Sequence, residues 1–472
     1  MCQVRFIDCH CHLFNIADIP LYATVEAAEL GINSLNALAV ALASRKAGSE
    51  LYQRKEIILF FERSIEENIE FLVQQVEEAL AEDANIDVGL TVLTPLVMDF
   101  DLIRPTFLDQ LHAGDGLVER DHAAGWSGLD AQLKDRKGQP FRLMMPERAV
   151  LKQITRLRDA VTNKDQWLLD RQFKILPFLG YDPRKLLDTG LDGFKTLWNT
   201  VGGVTDKVKR SDPGNLRNGD VIGVKLYPPM GFNPCGSSPA EQKLFLEFYA
   251  WLSENEIPIT VHCQKGSYST QTNKIAERTN PSNWANILGT EYKWKHGPLE
   301  GQTTELGRLM RINFAHFAGE EDMDDMVDWT QKGGIDQNTW AWTIVKMLKQ
   351  YPNTYSDLAA FDFSPHQVGG IDIYNGAVNA LFGLLDKDAG GVLPDVGTHM
   401  VCDKMLWGSD VPMIISGNWL RKECCDNNES HYKYLHGLFC ETVQRCKNYN
   451  DDGKRGLIRK ITVNNAMKFL FQ

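Results

Sequence analysis

A chain of 472 residues that is 43% hydrophobic and 24% charged can bury one large core, and a single α/β barrel with insertions fits this length. The formal net charge is -12 and no long basic run occurs, which argues against a general nucleic-acid-binding surface. Ten scattered cysteines without a spaced framework indicate reduced thiols, and neither a signal peptide nor a membrane-spanning stretch is recognisable. We therefore expect a cytoplasmic protein that does not bind membranes.

The first predicted strand, residues 5–12, is an apolar run that ends in a His-x-His pair. Alternate side chains of a strand share a face, so His10 and His12 should point the same way, with Asp8 on that face one step deeper. Cys9 and Cys11 face the other side, which argues against a Cys/His metal knuckle. Two neighbouring imidazoles can bind one transition-metal ion, although such a pair alone does not establish a site.

The next stretch, residues 13–85, shows no strand signal but contains an amphipathic helix. The apolar side chains that form its buried stripe are Ile65, Ile69, Leu72, Val76 and Leu80. Residues 86–95 then form a second strand. A polar insertion follows at about 98–172, and its His112 and His122 are expected to be surface residues, because no strand lies beneath them.

Residues 173–180 and 221–229 are the third and fourth predicted strands. Lys225 interrupts the apolar run of the fourth strand. A lysine in this position either reaches solvent with its ammonium group or needs a buried anionic partner. Its functional alternatives are binding of a substrate carboxylate or, after carbamylation, bridging of two metal ions.

The last four predicted strands cover residues 257–262, 311–316, 354–359 and 404–410. Three of them end on His262, His316 and Asp410, respectively. Eight apolar strands separated by helical or irregular stretches are typical of an α/β fold of the (β/α)8 TIM barrel type. We expect one domain, residues 1–472, with long insertions at about 13–85 and 98–172, after strands 1 and 2.

In such a barrel the reactive groups lie at the carboxyl ends of the strands. His10, His12, His262 and Asp410 would form a nitrogen and oxygen donor set suited to a divalent ion such as zinc. His316 would lie beside them as an acid, a base or an electrophile.

The order of these residues resembles that of the amidohydrolase superfamily. The most similar branch is the amidohydrolase-2 group, which contains TIM-barrel metal-dependent hydrolases and decarboxylases related to aminocarboxymuconate-semialdehyde decarboxylase. The segments that carry the resemblance are residues 7–12, 223–228, 261–262, 280–284, 315–319, 406–412 and 465–466.

The resemblance implies a metal-dependent enzyme that acts on a small molecule. It implies one divalent ion, preferably Zn2+ with Mn2+ or Fe2+ as alternatives, and leaves a second metal open. Asp410 would bind the metal and take the proton of a metal-activated water, and His316 would hold the water or the carbonyl oxygen. Asp8 would orient a ligand imidazole or serve as a buried structural acid. A homodimer is also implied.

Three hypotheses about function follow. The first is hydrolysis of an amide, ester or lactone, and the second is non-oxidative decarboxylation of an unsaturated or aromatic acid by the same residues. An arginine near the metal would favour a carboxylate substrate, and Arg184 and Arg311 are the candidates. The third hypothesis is a non-catalytic metal-binding or interaction protein. The two long insertions depart from compact members of the group, and substrate identity is expected to depend on them.

Overall fold

The computed structural model describes residues 2–14, 63–81, 88–99, 149–265, 275–326, 336–361, 363, 365–368, 371–374, 376–391, 393, 396–411 and 431–472. His112 and His122, together with much of the two insertions, lie outside these residues. No helix in the described part of the chain combines the length and the apolar character that a bilayer crossing requires.

The strands are short and mostly buried. In chain order they are β1 (Val4–Cys11), β2 (Leu90–Pro95), β3 (Phe173–Ile175), β4 (Phe178–Gly180), β5 (Gly223–Leu226), β6 (Ile259–Gln264), β7 (Glu291–Lys293), β8 (Thr303–Glu305), β9 (Ile312–Ala318), β10 (Thr354–Asp357), β11 (Pro365–Val368), β12 (Ile371–Tyr374) and β13 (Met405–Leu406).

Helices follow most of the central strands. They are α1 (Ile65–Ala81), α2 (Ala149–Asn163), α3 (Asp165–Asp170), α4 (Leu186–Thr200), α5 (Lys207–Arg210), α6 (Pro239–Glu254), α7 (Ile275–Thr279), α8 (Pro281–Leu288), α9 (Glu320–Met326), α10 (Trp340–Gln350), α11 (Gly376–Ala389), α12 (His431–Val443), α13 (Asp451–Arg459) and α14 (Asn465–Phe471). The helix predicted over residues 65–80 is therefore present.

The central strands form two parallel sheets, in the orders β1-β2-β3 and β13-β10-β9-β6-β5-β4. Two antiparallel hairpins, β7-β8 and β11-β12, lie outside them. Parallel neighbours need crossover connections, which the helices supply. The structure is thus a mixed α/β fold with parallel sheets, as predicted.

Backbone hydrogen bonds join the two sheets at both of their edges. At one edge, Val97 N, just after β2, donates to Phe178 O in β4 over 3.1 Å, and Leu96 forms a parallel bridge with Phe178. At the other edge, three hydrogen bonds connect β1 to the segment that follows β13. They run from Cys9 N to Trp407 O at 3.0 Å, from Asp410 N to His10 O at 2.7 Å and from His12 N to Val411 O at 2.7 Å.

The third predicted strand, residues 173–180, is divided in the structure. β3 pairs with β2 and β4 pairs with β5, and Leu176 and Pro177 separate the two short strands. A proline has no N–H group to donate to a sheet, so an uninterrupted ladder cannot run through this position. The chain changes its pairing partner at the proline.

Side chains cap the helices that follow strands β5, β6 and β9. Ser238 accepts a hydrogen bond from Glu241 N at the start of α6, and Thr339 accepts one from Trp342 N at the start of α10. Asn280 caps α8 through Ser282 N, and Trp284 in this helix is fully buried against Tyr249. Each cap satisfies a backbone N–H group that has no partner inside its helix.

A buried hydrogen-bond chain connects the two strand segments that carry His10 and Asp410. Trp407 Nε1 donates to Tyr432 Oη over 3.1 Å, and Tyr432 Oη donates to Asp8 Oδ2 over 2.9 Å. Asp8 Oδ1 accepts from the backbone N–H groups of His10 and Ser409. Burial raises the pKa of Asp8 to about 6, although these hydrogen bonds act to lower it. One carboxylate thus fixes β1, the end of β13 and helix α12 relative to one another.

We predict that Tyr432→Phe lowers the free energy of unfolding by about 1–3 kcal/mol, because the indole N–H and the Asp8 carboxylate each lose a buried partner. Urea denaturation followed by far-ultraviolet circular dichroism measures the change. Tyr292→Phe, at a partly exposed ring in β7, is the matched control and should change stability by less than about 0.5 kcal/mol. Equal stability of the two variants would show that the hydrogen-bond chain contributes nothing.

Candidate metal centre

Three of the predicted metal ligands converge in the structure. The Nε2 atoms of His10 and His12 each lie 3.4 Å from the same oxygen, Oδ1 of Asp410. All three residues are buried, and one ligand atom from each lies within 4.8 Å of the others. Residues 400 positions apart in the sequence are therefore neighbours, because β1 hydrogen-bonds to the segment after β13.

The other ring nitrogen of each histidine is hydrogen-bonded. His10 Nδ1 lies 3.0 Å from Asp357 Oδ2, and His12 Nδ1 lies 3.0 Å from the carbonyl oxygen of Leu96. Both partners can only accept, so each Nδ1 carries the proton and each Nε2 presents its lone pair. Burial lowers the pKa of His10 to about 4, which keeps the ring neutral near pH 7. This is the tautomer that a metal requires.

These residues fit a divalent ion. Two ligand atoms, each about 2.1 Å from one tetrahedral ion, are about 3.4 Å apart, which is the separation found between Asp410 Oδ1 and both Nε2 atoms. Nε2 of His10 is buried and has no hydrogen-bond partner among the described residues. A buried polar atom without a partner is costly, and a metal ion would supply one.

Burial alone would raise the pKa of Asp410, but the imidazoles of His12, His10 and His316 outweigh this and hold the pKa below its ordinary value. A carboxylate that remains ionised is the form that binds a cation. Imidazole nitrogen and carboxylate oxygen together suit zinc, and they also suit manganese or iron.

Asp357 in β10 is a site residue that the sequence analysis missed. Its carboxylate accepts hydrogen bonds from the ring of His10 at 3.0 Å, from Asn313 Nδ2 at 2.7 Å and from the backbone N–H groups of His316 and Ala359 at 2.9 and 3.2 Å. Burial would raise its pKa, but His10 and these donors hold the pKa well below the usual range. A carboxylate behind a ligand imidazole fixes the orientation of the ring.

His316 and His262 extend the histidine cluster from β9 and β6. The ring centroid of His316 lies 4.7 Å from that of His10 and 4.8 Å from that of His262. His316 also belongs, with His10 and Asp357, to a second group of three that could hold an ion. Neither group of three among the described residues contains His262, whose role as a ligand stays a prediction. Both strands continue two residues beyond their histidine, to Gln264 and Ala318.

The backbone at the centre is strained. Four successive residues, His316 to Gly319, have φ values of 69°, 43°, 68° and 90°, and Asp410 has a φ of 53°. Residues other than glycine rarely adopt this left-handed backbone conformation, which costs about 1–3 kcal/mol per residue. Gly319 N donates to His316 O over 2.7 Å and closes the turn. Strain of this kind is concentrated at functional sites.

Lys225 lies in β5 with 2% of its surface exposed, so its ammonium group does not reach solvent. Burial lowers its pKa to about 8, while the charges of Asp357 and Asp410 act to raise it. The residue therefore lies within electrostatic range of the centre. Its role as a substrate-binding or carbamylated residue stays a prediction.

The structure distinguishes between alternatives for two neighbouring residues. Of the two roles considered for Asp8, its hydrogen bonds from backbone groups and from Tyr432 in α12 favour the structural acid. The carboxylate behind the ring of His10 is that of Asp357. The register between β1 and β2 shifts between Asp8 and Cys11, where strict alternation of side chains was expected. Arg311 precedes β9, at the amino ends of the strands, and pairs with Glu256 over 2.8 Å. It is therefore at the wrong end of the sheet to contact the metal.

A cavity of about 280 Å³ lies beside His316. Gln264 and Lys265 line it from the end of β6, Ala359 to Phe361 from the end of β10, and residues 318–322 from the start of α9. Lys265 Nζ pairs with Asp322 Oδ1 over 2.8 Å at its rim. The cavity is of a size that accepts a small organic molecule next to the imidazole.

No protein-family description matches the chain, and no curated protein matches it. Among solved structures, 4-oxalomesaconate hydratase LigJ from Rhodopseudomonas palustris is similar at 13% identity with a TM-score of 0.41, over 98% of this chain and 95% of that one. A 2,6-dihydroxybenzoate decarboxylase from Rhizobium is similar at 12% identity with a TM-score of 0.39, over 99% of each chain. With TM-scores below 0.5, the family prediction continues to depend on the motifs and on the site geometry.

We predict that Asp357→Asn weakens metal binding about 10–100-fold, because the imidazole of His10 loses the carboxylate that orients it. The dissociation constant for zinc is measured by competition with a chromophoric chelator. Asp388→Asn is the matched control, since Asp388 is a buried carboxylate paired with Lys349 outside the centre. A zinc affinity unchanged in Asp357→Asn and equal to that of the control would contradict the orienting role.

Proposed function

We propose that this chain is a metal-dependent enzyme of the amidohydrolase type that hydrolyses an amide, ester or lactone of a small molecule. The observation that carries the proposal is the convergence of His10, His12 and Asp410, with both imidazole Nε2 atoms 3.4 Å from one carboxylate oxygen. We infer that His262 completes the ligand set from β6. A bound divalent ion would lower the pKa of a water molecule from 15.7 towards about 7 and polarise a substrate carbonyl.

We further infer that the strands form a closed eight-stranded barrel in which β3 and β4 together supply one strand. The hydrogen bonds between β1 and the segment after β13, and the bond from Val97 N, after β2, to Phe178 O in β4, support this closure. In such a barrel the groups that follow the carboxyl ends of the strands share one face. This placement accounts for the meeting of residues from β1, β6, β9 and β13.

The chain's own residues divide the remaining work. Asp410 is an ionised carboxylate next to the position of the nucleophile, so it can take a proton from water and return it to the leaving group. The Nδ1 atom of His316 donates a hydrogen bond to the carbonyl oxygen of Ala359 over 3.2 Å. The other ring nitrogen, Nε2, is therefore available to contact the substrate. Because His316 also lines the cavity, it can contact the carbonyl oxygen or the water during the reaction.

Decarboxylation of an unsaturated or aromatic acid is the second candidate. The observation that favours it is the position of Arg184, which follows the carboxyl end of β4 and so lies on the same face as the centre. A guanidinium group there can bind the carboxylate of a substrate. The same metal ligands serve both reactions, so the distinction requires a measurement of products.

The function is tested with protein purified without a chelating column or metal-binding tag. Elemental analysis should find about one zinc, manganese or iron ion per chain. A panel of esters, amides, lactones and aromatic acids is then assayed by pH-stat titration for hydrolysis and by carbon dioxide release for decarboxylation. We expect hydrolysis that a chelator abolishes and added metal restores. Full activity in Asp410→Asn, or no metal after reconstitution with zinc or manganese, would refute the proposal.

We also predict that His316→Asn lowers kcat about 10²–10⁴-fold while zinc content changes less than twofold, because His316 acts on the substrate rather than as an essential ligand. Steady-state kinetics and elemental analysis of the same preparation provide the two readouts. His296→Asn is the matched control, at an exposed histidine beside β7. If His316→Asn loses its metal together with its activity, His316 is a ligand instead.

A further inference from the structure

Two arginines meet at Gly231, on the end of the sheet that carries the metal centre. Arg184 follows β4, Gly231 follows β5 and Arg278 lies in α7 after β6. Parallel strands present their carboxyl ends on one side, so these residues share that side with His10, His12 and Asp410. Arg278 was not among the residues that the sequence analysis selected.

The two guanidinium groups converge on one small space. A Cβ atom built on Gly231 would lie 3.0 Å from Arg184 Nη1 and 3.4 Å from Arg278 Nη1. Gly231 has a φ of 119°, in the region that favours glycine, so no side chain occupies this space. Two like charges are therefore held close together beside Gly231.

The carboxylates around the pair are already engaged. Arg184 bonds to Asp182 through Nε and Nη2, at 3.0 and 2.5 Å, and Lys185 Nζ bonds to Asp99 at 2.7 Å. Arg278 is a third cation, and Glu241 is a further carboxylate that acts on Arg184 through the electrostatic field. The Nη1 atom of Arg278 is buried and makes no hydrogen bond to any described residue. Glu277 and Asp182 act on it only through the electrostatic field. The Nη1 atom of Arg278 is thus left without an acceptor beside a second guanidinium group.

A short segment connects the arginines to the histidines. Arg184 Nη2 donates to the carbonyl oxygen of Met230 over 3.0 Å. Met230 lies three residues after Tyr227, whose ring centroid is 4.7 Å from that of His262. A ligand group at Gly231 would thus be held by the same segment that contacts the histidine cluster.

We propose that Arg184 and Arg278 bind an oxyanion at Gly231, and that this oxyanion is a carboxylate or phosphate group of the substrate. Oxyanions match the planar array of guanidinium donors, and the unpaired Nη1 of Arg278 would gain its missing acceptor. The assignment to a substrate rests on the proposed function. The oxyanion site itself rests on the arginine pair alone and would also accept a free inorganic anion.

The test is isothermal titration calorimetry of the full chain with glutarate and with inorganic phosphate. We expect Arg278→Gln to raise the dissociation constant of the bound probe at least tenfold. Arg278→Lys, which keeps the charge but loses the second donor arm, should give an intermediate increase and decides the result if Arg278→Gln does not fold. Arg308→Gln is the matched control, because Arg308 precedes β9 at the opposite end of the sheet and its removal changes the net charge equally.

Titrations with and without bound zinc distinguish the two sources of the anion. Glutarate binding that depends on both Arg278 and zinc supports a substrate group that spans the arginines and the metal. Phosphate binding that depends on Arg278 but not on zinc supports a site for a free anion. The proposal is overturned if no probe binds, or if Arg278→Gln and Arg308→Gln have the same affinity. Metal content and turnover are measured separately, so a failed oxyanion site leaves the proposed function standing.

Discussion

The candidate metal centre depends on the carboxylate of Asp357. This carboxylate holds the ring of His10 from β1, the side chain of Asn313 and the backbone of His316 from β9, and the turn after its own strand β10. An ionised group inside a protein is tolerated only when donors surround it, and here the donors are the functional residues themselves. The same hydrogen bonds therefore stabilise the buried charge of Asp357 and fix the geometry of His10 and His316.

The strained backbone also contributes to the geometry of the site. Left-handed residues at His316–Gly319 and at Asp410 turn the chain where the strands end, so that side chains from separate strands point at one position. The hydrogen bond from His316 N to Asp357 and the bond from Asp410 N to His10 O hold two of these residues in place. Packing and hydrogen bonds elsewhere offset the cost of the strain. The chain's own hydrogen bonds therefore set the positions of these two residues.

Much of this arrangement could be predicted from the sequence, because an apolar run that ends in His or Asp indicates both a buried strand and a candidate site residue at its end. His10, His12 and Asp410 were found in this way. Asp357 was missed because only the last residue of each predicted strand was considered, although a carboxylate within a buried strand carries the same signal as Lys225. The register shift after Asp8 cannot be read from the alternation of apolar and polar residues. The division of the third predicted strand at Pro177 depends on which neighbouring strand each half pairs with. Contacts between distant segments decide these features.

The order of the ligands along the chain bears on how the protein matures. His10 and His12 lie in the first strand, whereas Asp410 follows the last, and the three meet through hydrogen bonds between β1 and the segment after β13. During synthesis the two histidines emerge from the ribosome long before the carboxylate that completes the set. Domains generally fold as units once their parts are present. A metal ion held by these three residues would therefore be inserted only after translation of nearly the whole chain, and a nascent or truncated chain that lacks Asp410 would lack one of its ligands.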